Sequence, residues 1–102
     1  MDVYRVENKE GKGCYRKGYF TEWLTREHDL NFKKYPPPHY DKGIDRLPVE
    51  GELCGFKDKE QALDWFTQEE LSKLRKLGFY LERIEGAEVT AIGEKQILFR
   101  RS

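Results

Sequence analysis

Residues 56–79, FKDKEQALDWFTQEELSKLRKLGF, decide the fold, because they hold two sets of helix start and stop signals back to back. Asp58 can cap a helix with Gln61 three residues on, and Ala62, Leu63, Trp65 and Phe66 follow at spacings that group on one side of a short helix. Thr67 repeats the device: its hydroxyl can accept from the amide of Glu70 while the Glu70 side chain reaches back. Leu71, Leu74 and Leu77 then line one stripe, and Gly78 supplies a left-handed residue past the helix end, followed by apolar Phe79. Lys73, Arg75 and Lys76 stand near the carbonyl end, where positive charge complements the helix dipole.

Beyond Gly78 the helical period gives way to alternation. Phe79, Leu81, Arg83 and Glu85 oppose Tyr80, Glu82 and Ile84, and turns at Gly86 and at 93–95 set off AEVTAI and QILFRR. This predicts two or three strands in an antiparallel meander ending at 96–100. At the other end VYRV, residues 3–6, reads as a first strand with Val3 and Arg5 on one side and Tyr4 and Val6 on the other, and LCGF, residues 53–56, as a short buried strand leading into the helices. The fold class is α+β: one small domain, residues 1–102, with a mainly antiparallel sheet covered on one face by the helical pair of residues 58–77. Trp65 and Leu74 should share one core with Val3, Leu81 and Leu98.

The intervening segments are less regular. Residues 8–18 carry three glycines and five charges and read as a loop, whereas 19–28 permit a short helix capped by Thr21. All four prolines fall in 29–52, which excludes ladders and helix interiors there. The large apolar residues Leu30, Phe32, Tyr35, Tyr40, Ile44 and Leu47 favour a packed loop.

Charge and composition exclude several function classes. The 19 basic and 19 acidic residues cancel, so no whole-molecule field recruits nucleic acid or an anionic membrane. Basic Lys9, Lys12, Arg16, Lys17, Arg100 and Arg101 have acidic neighbours and read as a solvated face. No apolar run approaches the roughly 20 residues of a membrane span, and the first residues lack a signal-peptide core, so a cytoplasmic location is expected. Cys14 and Cys54 are too few for a disulfide scaffold, and no ligand spacing predicts a metal. His28 and His39 read as surface histidines, Trp65 and Phe66 as core, and Cys54 as a buried inert thiol. There is neither a Walker loop nor a GxGxxG motif.

Two resemblances add to this. VYRVEN, CGFKDKEQALDWFTQEELSKLRKLGF and EKQILFRR are similar to a group of short uncharacterised proteins of bacteriophages and prophages. That likeness names no activity; the absence of a recognisable nucleophile motif, metal site or general base in the sequence fits a small phage-type accessory protein that binds a macromolecular partner, a protein before nucleic acid, without catalysis or cofactor. The chain also resembles the ADP-ribosyltransferase fold, in which a first strand carries an arginine or histidine, a middle strand runs into a helix and a late strand carries an E-x-E motif followed by aliphatic residues. Arg5, LCGF with the Asp58 helix, and Glu94-Lys95-Gln96 fall in that order. This second resemblance implies an NAD or nucleotide site with Glu94 and Gln96 as the catalytic pair, Arg5 on a phosphate and Tyr19, Tyr40 or Phe56 as an aromatic wall. The chain departs from that pattern at Gln96, whose neutral amide cannot offset developing positive charge, and LCGF lacks a serine-threonine-serine run.

Overall fold

The computed structural model describes residues 1–15, 22–31 and 33–101. Among these residues five strands and three helices follow one another as β1 (Val3–Glu7), α1 (Glu22–Asp29), β2 (Leu53–Gly55), α2 (Lys59–Trp65), α3 (Gln68–Lys76), β3 (Tyr80–Ile84), β4 (Glu88–Ile92) and β5 (Ile97–Arg100). The predicted caps are the ones that form. Asp58 accepts from Gln61 N at 2.8 Å, Thr67 and Glu70 make a complete capping box, and Gly78 at φ 89° lets Phe79 N donate back to Leu74 O at 2.9 Å. Ala62, Trp65, Phe66, Leu71 and Leu74 are buried, whereas Leu63 and Leu77 are exposed, contrary to expectation. Leu63 lies two residues from Trp65, about half a turn off the buried face shared with Gln61 and Ala62, and Leu77 caps the helix where the chain already turns away. Of the short helix predicted over 19–28, α1 is its observed counterpart; Tyr19 and Thr21 lie outside the described residues.

All strand pairs are antiparallel, but they do not form the expected meander. β3 pairs with β1, Val3 opposite Ile84, while β5 lies between β2 and β4. After the turn at Gly86 the chain is held against the N-terminus, Ala87 N donating to Met1 O at 2.8 Å and the terminal ammonium to Ala87 O at 3.1 Å, so β4 departs from β3 instead of folding back on it. The two sheets join at residues 4 and 56, where Tyr4 and Phe56 exchange both backbone hydrogen bonds at 2.8 and 2.7 Å. Gly55 permits this approach, since a Cβ there would sit 2.7 Å from the Phe99 ring and 2.8 Å from Tyr4 O.

The core divides in two for the same alternation that the strands obey. Trp65 and Leu74 pack with Val6, Phe56, Phe66, Phe79 and Leu81, but Val3 points to the opposite face of β1 and joins Ala87, Ile97 and Phe99. The expected single core is therefore two, and Leu98, though fully buried, lies outside the first.

After Asp29 ends α1, residues 30–52 hold one 3-10 turn, Pro38–Tyr40, and otherwise no regular element among the described residues. Tyr35 packs on the core and Pro36 and Ile44 are buried, but Leu30, Tyr40 and Leu47 are exposed, so apolar packing fastens only part of the segment. A polar latch adds to it. The Asp41 carboxylate, 1% exposed, accepts from the amides of Glu94 at 2.9 Å, Lys95 at 3.2 and 3.1 Å and Gln96 at 3.0 Å, which satisfies the tight turn between β4 and β5. Glu52 closes the far end by receiving Arg46 at 2.6 and 2.8 Å and Val49 N at 2.9 Å.

Candidate functional site

The latch brings the triproline run of residues 36–38 against the aromatic face of α2. Between them is a pocket of about 220 Å³ lined by Tyr15, His28, Tyr35, the three prolines, Cys54, Trp65 and Gln96. Proline fixes φ, so this wall is rigid before anything enters. Tyr35 lies flat on His28, centroids 3.7 Å apart at 4°, and meets Trp65 edge-on at 5.3 Å and 69°.

His28 carries the polar chemistry of the site. It is 4% exposed, buried where a surface histidine was expected. Its Nε2 lies 2.9 Å from Glu70 Oε2 and its Nδ1 2.5 Å from the Tyr15 hydroxyl. A carboxylate only accepts, so Nε2 bears the proton toward Glu70, and Nδ1 is left to accept from the Tyr15 O–H. Burial, the largest influence, holds the His28 pKa below its ordinary value against the opposing pull of Glu70, which keeps the ring neutral at neutral pH. The Trp65 indole N–H donates to the same Tyr15 oxygen at 2.5 Å. Tyr15 as a residue is 43% exposed, with its hydroxyl end turned inward onto these two partners; burial of that end pushes the phenol well above its ordinary pKa.

Glu70 is fixed by the helix signal the sequence displays. Its Oε1 accepts from Thr67 N at 2.8 Å in the capping box, leaving Oε2 for His28. The sequence reading took His28 for a surface residue, Tyr35 for loop packing and Glu70 for the cap alone, and it did not single out Tyr15. One signal was present for His28: it stands four residues after Leu24 on α1, and i,i+4 residues share a helix face, here the buried one.

Arg5, Phe56 and Gln96, which the sequence nominates for a nucleotide, do line one cleft, a second and smaller one of about 60 Å³ next to the first. Their polar groups are engaged there. Arg5 donates to Cys54 O at 2.8 Å and Glu7 Oε1 at 3.1 Å, and Gln96, 5% exposed, donates its amide to Pro36 O at 2.7 Å. Glu94 and Tyr40 lie together elsewhere, on a shallow depression with Lys33, Lys42 and Lys95, and Tyr19 is outside the described residues. Cys54 lines both clefts rather than being fully buried, and its thiol, like that of Cys14 at about 12, is pushed up by burial and stays protonated. Among the described residues no cluster of three or more His, Cys, Asp or Glu could hold a metal ion.

The family model described as Bacteriophage T4 Y00F protein matches residues 1–102. The chain belongs to this phage protein family. No curated protein and no solved structure matches it. The family assignment covers the whole chain and so bears out the likeness of its beginning, middle and end to short phage proteins. No helix of the Y00F-family chain is long and apolar enough to cross a membrane among the described residues.

Proposed function

We propose that this phage protein acts by binding a partner protein, and that the pocket between Tyr35, Trp65 and the triproline turn takes up one aromatic side chain of an acidic segment. The pocket carries this reading. At about 220 Å³ it falls below the roughly 300 Å³ at which small-molecule sites begin, yet it has the apolar, rigid walls of an anchor pocket. Around it stand Lys34 and Lys95 on one flank and Lys33, Lys42 and Lys95 beyond Pro36 on the other. Lys33, Lys34, Lys42 and Lys95 outnumber Asp41, Asp64 and Glu94 there, and Asp41 is buried on backbone amides. A partner with acidic residues flanking its aromatic anchor complements that rim.

The test is a titration with N-acetyl-tryptophanamide, N-acetyl-leucinamide and a short acidic peptide bearing one tryptophan, following the Trp65 indole N–H by NMR. The aromatic amide should shift that resonance, the peptide should bind more tightly and in a salt-dependent way, and the leucine compound should bind least. An unmoved indole resonance at millimolar ligand removes the anchor reading.

One observation favours a second reading, a nucleotide-binding domain, since Arg5, Phe56 and Gln96 share a cleft. A nicotinamide and its ribose do not fit about 60 Å³, and the guanidinium and amide that would hold them are already paired. Millimolar NAD is accordingly expected to leave the melting temperature unchanged; a micromolar site would raise stability by several kcal/mol through mass action.

A further inference from the structure

Tyr15, His28 and Glu70 form a hydroxyl–imidazole–carboxylate chain, and Trp65 adds a fourth group at the hydroxyl oxygen. The spacing is that of an activated nucleophile: phenol to base 2.5 Å, base to orienting carboxylate 2.9 Å. Each member is held independently. Glu70 is pinned by Thr67 N, the imidazole by its flat contact with Tyr35, and the phenol ring by stacking on Phe66 with centroids 6.2 Å apart at 20°. The Trp65 N–H donates to the same hydroxyl oxygen and so fixes the direction in which the Tyr15 O–H can point, toward His28 Nδ1. Tyr15, His28 and Trp65, the three side chains that meet at this oxygen, all line the larger cleft.

We propose that Tyr15 is a nucleophilic phenol that takes an acyl group from an aryl ester whose ring occupies the Tyr35–Trp65 pocket. The Tyr15 O–H bond breaks with its proton passing to His28 Nδ1, and the phenol oxygen bonds to the ester carbonyl carbon. The bond from that carbon to the aryl oxygen then breaks, and the departing aryloxide takes the proton from His28, leaving acyl-Tyr15, a free phenol and neutral imidazole. No other reactant is needed. The ester is an aryl one because an aryloxide, the conjugate base of a phenol with a pKa near or below roughly 10, departs far more readily than an alkoxide, and because the pocket walls are aromatic and proline. This goes beyond partner binding and borrows from it only that the pocket admits one aromatic ring, which the amide titration reports separately.

Tyr80 provides the comparison within the same molecule. It stands on β3 with 42% of its surface exposed, whereas the Tyr15 hydroxyl end is turned inward onto His28 and Trp65, so a preference for Tyr15 runs against access and reports activation. The full chain is incubated with p-nitrophenyl acetate, released p-nitrophenolate is followed, and acetyl groups are located by peptide mass spectrometry. A burst approaching one equivalent, acetyl on Tyr15 over Tyr80 by roughly 100-fold as general-base assistance allows, and loss of that preference in Glu70→Gln are expected. Glu70→Gln retains an oxygen for Thr67 N, so the cap and the fold persist, which circular dichroism verifies. Equal acetylation of Tyr15 and Tyr80, or a Tyr15 preference unchanged in Glu70→Gln, overturns the proposal. Aromatic amides that bind while Tyr15 stays unacetylated overturn it too and leave the pocket standing.

Discussion

Glu70 Oε2 lies 2.9 Å from His28 Nε2 while its other oxygen accepts from Thr67 N at 2.8 Å, so one carboxylate both caps α3 and satisfies a buried histidine. The two duties separate by mutation. Thr67→Ala removes one capping bond and should cost about 1 kcal/mol. Glu70→Ala removes the reciprocal bond and leaves His28 N–H buried without its partner, and should cost about 2–3 kcal/mol. Urea unfolding of both variants checks this, and equal losses would mean that the contact with His28 adds nothing.

Protonation of His28 gives a second expectation. Its folded pKa is depressed below 6.5, chiefly by burial, with Glu70 and Glu27 acting the other way and Lys34 alongside burial. A depressed pKa means the folded chain binds fewer protons than the unfolded one, so the stabilisation is complete above about 6.5 and is lost as pH falls toward the folded value. Melting temperature should therefore decline from about pH 7 to about pH 5, and His28→Gln should flatten that decline. A variant as pH-sensitive as the parent would place the titrating group elsewhere.

A separate window belongs to Glu52. Arg46, the Thr90 hydroxyl and Val49 N together hold its carboxyl far below the ordinary 4.5, with Arg46 the largest cause. The sign is again that of a depressed carboxylate: stability is present above about 4.5 and drains away as pH falls below it. Glu52→Gln should be less stable than the parent at neutral pH, with the gap narrowing below about pH 4. Thermal melts across that range decide it, and a gap independent of pH would sink the assignment.

Leu74 and Leu77 stand three residues apart on the same predicted stripe, but only Leu74 is buried. Leu74→Ala should cost about 2–5 kcal/mol, whereas Leu77→Ala should stay within about 0.5 kcal/mol. Denaturant titration of the pair measures the asymmetry directly.

The amino-acid sequence by itself determined the local structure of this protein. Asp58, Thr67, Glu70 and Gly78 act within four or five residues of chain, and their caps form as written because nothing distant competes for them. Strand positions were legible for the same reason, since a period of two is a local property. Strand partners were not. That β3 crosses to β1 depends on Met1 meeting Ala87, 86 residues away, and that the core splits depends on which face of β1 each neighbour covers. The nominated Arg5, Phe56 and Gln96 do converge, but pairing of Arg5 with Cys54 and of Gln96 with Pro36 decides what their cleft can hold. The Tyr15–His28–Glu70 chain draws on three segments separated by 13 and 42 residues, each unremarkable alone. Only tertiary packing sets those side chains within hydrogen-bond reach and removes the water that would otherwise leave His28 an ordinary surface base.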